Sequence, residues 1–254
     1  MKALMAFLVA FVLGGCASLP KPLTADVASK IKQGNTAVLF YDDMGEIKYL
    51  EDKYYVLGVA QVASNSAYGG IWSSNPELSQ LHTEQFSKLG LKTQSAYALL
   101  SSSDIENNSA ADRALYTFKP PEKSKVKPAA SPGQAALTPQ LRDALLAQGQ
   151  DSLIWVAWSG FTLHLQTLGL PAVEKMNTCF WVFDLKENRL LWNGTFFTFE
   201  NTSIGGRTGK EFLEANDLSG LKSEVAARMR DYYQPEKRKN NDVGLLMGLR
   251  GVAQ

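Results

Sequence analysis

Cysteine and histidine are both scarce: this 254-residue chain contains two of each. A structural zinc site or a disulfide framework needs several such residues at short, fixed spacings. His82 and His164 stand far apart, so the sequence predicts no metal site and no cofactor, and both histidines are expected at the surface or its boundary. Cys179 lies in the apolar run TCFWVFDL and is predicted to be buried and unreactive.

The chain also lacks an excess of charge of either sign. It has 26 basic and 25 acidic residues, and the basic count falls to 25 if residues 1–15, which contain Lys2 and no acid, are removed. A nucleic-acid-binding domain normally carries a clear positive excess. The sequence therefore predicts a protein without a nucleic-acid partner.

Long hydrophobic runs are missing as well. The almost wholly apolar run from Ala3 to Leu13 is shorter than the roughly 20 residues that a membrane-spanning helix needs. It follows Lys2 and ends in small residues, and this order of a positive start, an apolar stretch and small residues is typical of a secretory signal peptide. The sequence thus predicts a signal peptide over residues 1–15.

The end of this signal resembles the lipobox of bacterial lipoproteins. Leu13 and two glycines precede Cys16, and the resemblance implies cleavage between Gly15 and Cys16 followed by lipidation of the new amino terminus. Two or more acyl chains on Cys16 would anchor the protein stably. Ala17 stands where inner-membrane lipoproteins of enterobacteria often have Asp, which favours the outer membrane, facing the periplasm. An ordinary cleaved signal, or a short buried helix with an incidental cysteine, is the alternative.

Composition divides the rest of the chain into five segments. Residues 16–35 are small, polar and proline-containing, and are predicted to be the lipidated cysteine and its tether. Residues 36–118 and 139–234 are predicted to form the two halves of one α+β domain. A Pro/Lys-rich insertion over 119–138 separates them, since it has too few large apolar residues to bury a core. A flexible tail is expected over 235–254.

Apolar periodicity predicts a mixed, mostly antiparallel sheet with amphipathic helices packed on one face. Strands are predicted over 36–41, 54–62, 91–100 and 151–168, with a further hairpin around the sequence KEN whose turn places Asn188 in a left-handed conformation. Helices are predicted over 76–89, 138–148 and 210–233, the last broken near Ser219 and Gly220, and a short helix is predicted within 103–118.

No stretch of the sequence is typical of an active site, and no catalytic residue is predicted. The chain contains neither a Walker A loop nor a Gly-x-Ser-x-Gly nucleophile elbow. The best binding candidates are Tyr68 and Trp72, two aromatic residues in the glycine-rich segment 63–75. Aromatic side chains often anchor protein partners, although these two could equally cover the edge of the sheet.

The segment FDLKENRLLWNGT (183–195) is similar to a hairpin in the α+β domains of several envelope lipoproteins. These are the penicillin-binding-protein activator lipoproteins, the curli-secretion lipoproteins and the amino-terminal domain of the Tol translocation protein. The resemblance implies a non-catalytic protein that scaffolds or regulates an envelope complex through a protein partner. Because a fold does not define a function, a periplasmic hydrolase and an anchored carrier of an apolar ligand are the alternatives. The oligomeric state is left open.

The anchor prediction can be tested at Cys16. We expect Cys16→Ser to abolish acylation, because only the thiol can form the thioether to the lipid, and to move the protein from the membrane fraction to the soluble fraction. Fractionation of cells and mass spectrometry of the amino-terminal peptide measure both effects. A Cys16→Ser protein that is still cleaved after Gly15 and still bound to the membrane would contradict the prediction, and Cys179→Ser is the matched control.

Overall fold

The computed structural model describes residues 23–42, 45–55, 58–68, 71–116, 137–166, 172–202, 208–234 and 244–251. Within them lie seven helices and seven strands. The helices are α1 Ala25–Gln33, α2 Ser74–Lys88, α3 Ala96–Leu99, α4 Ser102–Tyr116, α5 Pro139–Ala147, α6 Thr208–Tyr232 and α7 Gly244–Arg250. The strands are β1 Asn35–Asp42, β2 Glu46–Tyr55, β3 Gly58–Ala67, β4 Lys92–Ser95, β5 Ser152–Leu165, β6 Ala172–Asp184 and β7 Arg189–Thr202.

All seven strands form a single sheet built around β5. On one side β5 pairs antiparallel with β6, which pairs antiparallel with β7. On the other side the first half of β5 pairs parallel with β1 and the second half pairs parallel with β2. β4 lies parallel beside β1, and β3 lies antiparallel beside β2. The prediction of an α+β fold with a mixed, mostly antiparallel sheet is confirmed, and both predicted halves contribute to that sheet.

A glycine bends β5 where its neighbour changes from β1 to β2. The register with β6 shifts between Trp158 and Phe161, and Gly160 has φ +83° there. Any residue with a Cβ is strained at such an angle, so glycine is required at the bulge. The break between β1 and β2 also contains a glycine of positive φ, Gly45 at +59°.

Helices cover both faces of the sheet, which corrects the prediction of a single helical face. Val38 and Phe40 of β1 belong to the core beneath α1, α2 and α6, whereas Ala37 and Leu39 belong to the core beneath α4 and α5. The physical reason is that central strands of a partly parallel sheet are buried on both sides. The uninterrupted apolar run at residues 153–158 of β5 meets this requirement.

Helices α1 and α7 lie within the segments predicted as a tether (16–35) and a tail (235–254) and pack on the domain, which corrects those two predictions for the part of each segment that the structure describes. In α1, Ile31 is fully buried, and α7 buries Leu245, Leu246 and Leu249. The two helices meet where the Leu23 N–H donates to the Gly244 carbonyl at 2.9 Å. A Cβ on Gly248 would lie 2.4 Å from the Leu23 carbonyl oxygen, so the backbones approach too closely for any other residue.

Several elements differ in extent from their predictions. The range 54–62, predicted as one strand, contains the end of β2 and the start of β3. The range 91–100, also predicted as one strand, contains the short β4 followed by α3. The last helix is interrupted at Ala215–Leu218, slightly before the predicted break. Asn188 has φ +46°, as predicted for the β6–β7 turn. Most of the predicted insertion, residues 119–136, lies outside the described residues.

The packing of α7 predicts a stability effect that a flexible tail would not give. We expect Leu246→Ala to lower the free energy of unfolding by about 2–5 kcal/mol, because it leaves a cavity in a fully buried site. Met247→Ala, on the half-buried side of the same helix, should cost much less. Chemical denaturation measures both variants, and equal stability of wild type and Leu246→Ala would show that α7 is not docked.

Candidate functional site

The structure tests the prediction for one of the two cysteines and not for the other. Cys16 and the signal peptide lie outside the described residues, so lipidation stays a prediction. Cys179 is buried on β6, as predicted. In the described part of the chain, no helix has both the length and the apolar character needed to cross a membrane.

The structure places Tyr68 and Trp72 inside the core, which corrects their prediction as partner-binding residues. Their relative exposures are 1% and 5%, and their rings lie 5.5 Å apart. The Tyr68 hydroxyl donates to Asp42, and the Trp72 Nε1–H donates to Glu77 at 2.8 Å. The polar atom of each ring is therefore satisfied inside the protein and is not available to a partner.

Asp42 ties this aromatic corner to the end of β1. Its carboxylate also accepts the Ser74 hydroxyl at 3.2 Å and the Gly45 N–H at 3.0 Å. Burial and the negative charge of Asp42 raise the pKa of the Tyr68 hydroxyl, which therefore stays protonated and acts as a donor. The corner serves to fix the turn into β2 and the start of α2.

Strand β3 is exposed along nearly its whole length. Every residue of β3 except the half-buried Ser66 is exposed, and among the described strands β3 pairs only with β2. Its sequence, GVAQVASNSA, contains no charged residue and no proline. Val59 and Val62 are 54% and 39% exposed. Proteins usually protect an edge strand with charges, proline or a covering loop, and β3 carries neither charge nor proline.

A polar network lies beside this edge. The Asp52 carboxylate and His164 Nε2 are 2.9 Å apart, and the Gln61 amide lies 3.2 Å from Asp52 and 3.1 Å from His164. The hydrogen bonds from His164 and then from Gln61 lower the pKa of Asp52. His164 is therefore at the boundary of the fold, as predicted, and it links β2, β3 and β5.

His82, in contrast, lies in the interior, which corrects its assignment to the surface. It is fully buried on α2, stacked between Phe40 and Phe86 with ring centroids 5.5 Å and 6.4 Å away. Its Nδ1 lies 2.5 Å from the Tyr233 hydroxyl, and its Nε2 has no hydrogen-bond partner. Burial lowers the pKa of His82 to about 3, so the ring is neutral at physiological pH.

A buried ion pair stands close to His82. Glu174 of β6 is 1% exposed, and its Oε2 accepts the Arg228 Nε–H at 2.7 Å. Two further carboxylates, Glu224 and Asp231, lie 3.6 Å from the guanidinium. Burial and the charge of Glu174 raise the pKa of Glu224. Three carboxylates therefore surround one guanidinium.

A cavity of about 10 Å³ lies between α2, β6 and α6, next to this pair. Its lining includes His82, Met176, Thr178, Arg228, Met229 and Tyr232. Such a volume holds one water-sized occupant, whereas small-molecule sites measure roughly 300–1,000 Å³. In the described residues no group of three His, Cys, Asp or Glu side chains converges as a metal site.

Of β3, only residues 58–62 fall within a predicted strand, and the burial of His82 and Glu174 was not predicted, although both residues leave a signal. His82 stands four residues from both Leu78 and Phe86, which places it on the buried stripe of α2. Glu174 lies two residues from both Ala172 and Met176 on β6, so its side chain is on the same buried face of the strand as theirs. Residues 63–67 of β3 were assigned to a loop because small polar residues dominate them.

No family model and no curated protein matches the chain. Solved structures similar to it include a lipoprotein of Neisseria meningitidis, with 13% identity over 78% of this chain and 99% of that one and a TM-score of 0.35. A hypothetical protein of Chlamydia trachomatis has 13% identity over 79% and 97%, with a TM-score of 0.37. The LpoB C-terminal domain of Salmonella enterica has 9% identity over 69% and 95%, with a TM-score of 0.28. At these low values, the similarity assigns no function to this chain.

Burial of His82 predicts a pH-dependent stability. Its pKa is about 3 in the folded protein against 6.5 for an ordinary histidine. Below pH 6.5 the unfolded chain takes up a proton that the folded protein does not, so stability falls as pH falls. We expect a loss on the order of 2 kcal/mol from this residue between pH 6.5 and pH 5.

Denaturation at several pH values measures this loss. His82→Phe should remove about this amount from the pH dependence in that interval, because Phe binds no proton in either state. Phe86→Leu, which alters the neighbouring ring, should lower stability by a constant amount at each pH. An unchanged slope in His82→Phe would show that His82 is not the group responsible.

Proposed function

We propose that this chain is a lipid-anchored, non-catalytic protein of the bacterial envelope that holds a protein partner through the free edge of β3. The observation that carries the proposal is the long, uncharged and almost fully exposed β3. The lipobox at Cys16 supports the location, at the outer membrane and facing the periplasm. The alternatives are a periplasmic hydrolase and a carrier of an apolar ligand.

The expected occupant of the β3 edge is an extended segment of another envelope protein. Strand addition to a free edge supplies main-chain hydrogen bonds, while the side chains on alternate positions select the partner. Val59 projects from one face of β3 and Val62 from the other. The partner segment should therefore carry neutral, β-branched or small residues, since a charge opposite these positions would be desolvated without a counterion.

The described cavity does not favour the carrier function. At about 10 Å³ it is far smaller than a site for an apolar ligand. We therefore place the functional surface on the exposed strand β3.

Site-specific crosslinking in cells tests the proposed surface. We expect a photoreactive residue at Ala60 of β3 to form one defined adduct with an envelope protein, and the same residue at the exposed Gln80 of α2 to form none. Val62→Lys should reduce the Ala60 adduct at least about tenfold, because lysine on an edge opposes strand pairing. Phe212→Lys, an equally drastic change at an exposed position of α6, should leave the adduct unchanged.

Two outcomes would contradict the proposal. An adduct that persists in Val62→Lys while the protein stays folded would remove β3 as the binding edge. An adduct with the mass of two copies of this chain would replace the partner with self-association. Loss of the adduct in Cys16→Ser would show that recruitment also needs the anchor.

A further inference from the structure

We propose that the cavity between α2, β6 and α6 is a binding site for a soft monovalent metal ion of the Cu(I) class. Its ligands are the His82 Nε2 and the thioether sulfurs of Met176 and Met229, three side chains that line the same small cavity. This inference is independent of partner binding at β3, which lies on another part of the sheet.

The state of His82 is the first argument. The ring is fully buried, and its Nε2 has no hydrogen-bond partner. A buried polar atom without a partner is rare and indicates a bound water, an ion or a functional role. When Nδ1–H donates to the Tyr233 hydroxyl at 2.5 Å, Nε2 keeps its lone pair, which is the arrangement that metal-binding histidines adopt.

The donor set is the second argument. Thioether and imidazole ligands suit Cu(I), whereas Mg²⁺ and Ca²⁺ require several oxygen ligands. Met176 lies on β6, Met229 lies on α6 and His82 lies on α2, so three rigid elements of the core position the donors. The cavity of about 10 Å³ has room for one ion and not for a hydrated one.

The surrounding charge is the third argument. Arg228 lines the cavity, but its guanidinium contacts the carboxylates of Glu174, Glu224 and Asp231. Glu174 Oε1 is buried and has no hydrogen-bond partner. Three carboxyl groups therefore lie against one guanidinium beside the cavity, so the positive charge of Arg228 is compensated and does not oppose a cation there. The Arg228 side chain is 19% exposed and connects the cluster to solvent.

Titration of the detergent-purified full chain with Ag(I), a redox-stable probe for Cu(I), tests the site. We expect saturable binding of one ion per chain and a rise in the temperature of unfolding, because the ion binds only the folded state. The double variant Met176→Leu/Met229→Leu should weaken binding by at least about 100-fold, since it removes both sulfurs while conserving the volume of the core.

Two matched controls separate this site from other sulfur atoms. Met247→Leu changes a methionine outside the cavity, and Cys179→Ala removes the buried thiol on β6; both should bind Ag(I) as the wild type does. His82→Phe should abolish the thermal shift. X-ray absorption of the Cu(I)-loaded protein should show nitrogen and sulfur donors.

Three results would overturn the proposal. These are the absence of saturable Ag(I) binding, unchanged binding in the double methionine variant, and loss of binding in Cys179→Ala with the double variant unaffected. A cavity that holds only water would give the first result.

Discussion

The structure depends on the hydrogen bonding of β5 along both of its sides. β6 follows one side of β5 for nearly its whole length, whereas β1 and β2 divide the other side between them. The parallel pairings connect segments more than a hundred residues apart, so the two halves of the chain cannot form separate sheets. Apolar side chains on both faces of β5 then oblige helices from each half to cover the sheet. The bulge at Gly160 lies where the parallel neighbour of β5 changes from β1 to β2, and the bend there allows β5 to pair with both strands.

Much of this fold can be predicted from the sequence, and the predictions that were wrong have identifiable physical causes. The β6–β7 hairpin follows from apolar alternation and from Asn188, whose short polar side chain tolerates a left-handed conformation. The unbroken apolar run at residues 153–158 is typical of a strand buried on both faces, whereas the predicted sheet had helices on one face only. α1 and α7 are short, and their burial comes from contact with each other, with β1 and with β7. Local periodicity cannot reveal such contacts between remote segments.

The functional surfaces were harder to predict than the fold. Tyr68 and Trp72 resemble exposed anchors because glycine and small polar residues surround them, and only the distant Asp42 explains why Tyr68 is buried. The second half of β3, residues 63–67, was missed for a related reason, since a strand exposed on both faces has no apolar alternation to detect. The spacing of His82 with Leu78 and Phe86 is typical of a core residue, although His82 was predicted at the surface or its boundary. The surroundings of its Nε2, in contrast, are formed by side chains from three elements, and the spacing of residues along the sequence does not show that these elements meet.

The contact between α1 and α7 has a consequence for the order of folding. A chain that crosses a membrane from its amino end delivers α1 early and α7 last, yet each covers part of the other. β1 likewise waits for β5 before it acquires a neighbour on that side. Non-local contacts of this kind slow folding and leave apolar surface open in the meantime. Under the proposed export to the envelope, Ile31 and Phe40 would stay uncovered until α7 arrives, so export should then depend on a holding chaperone.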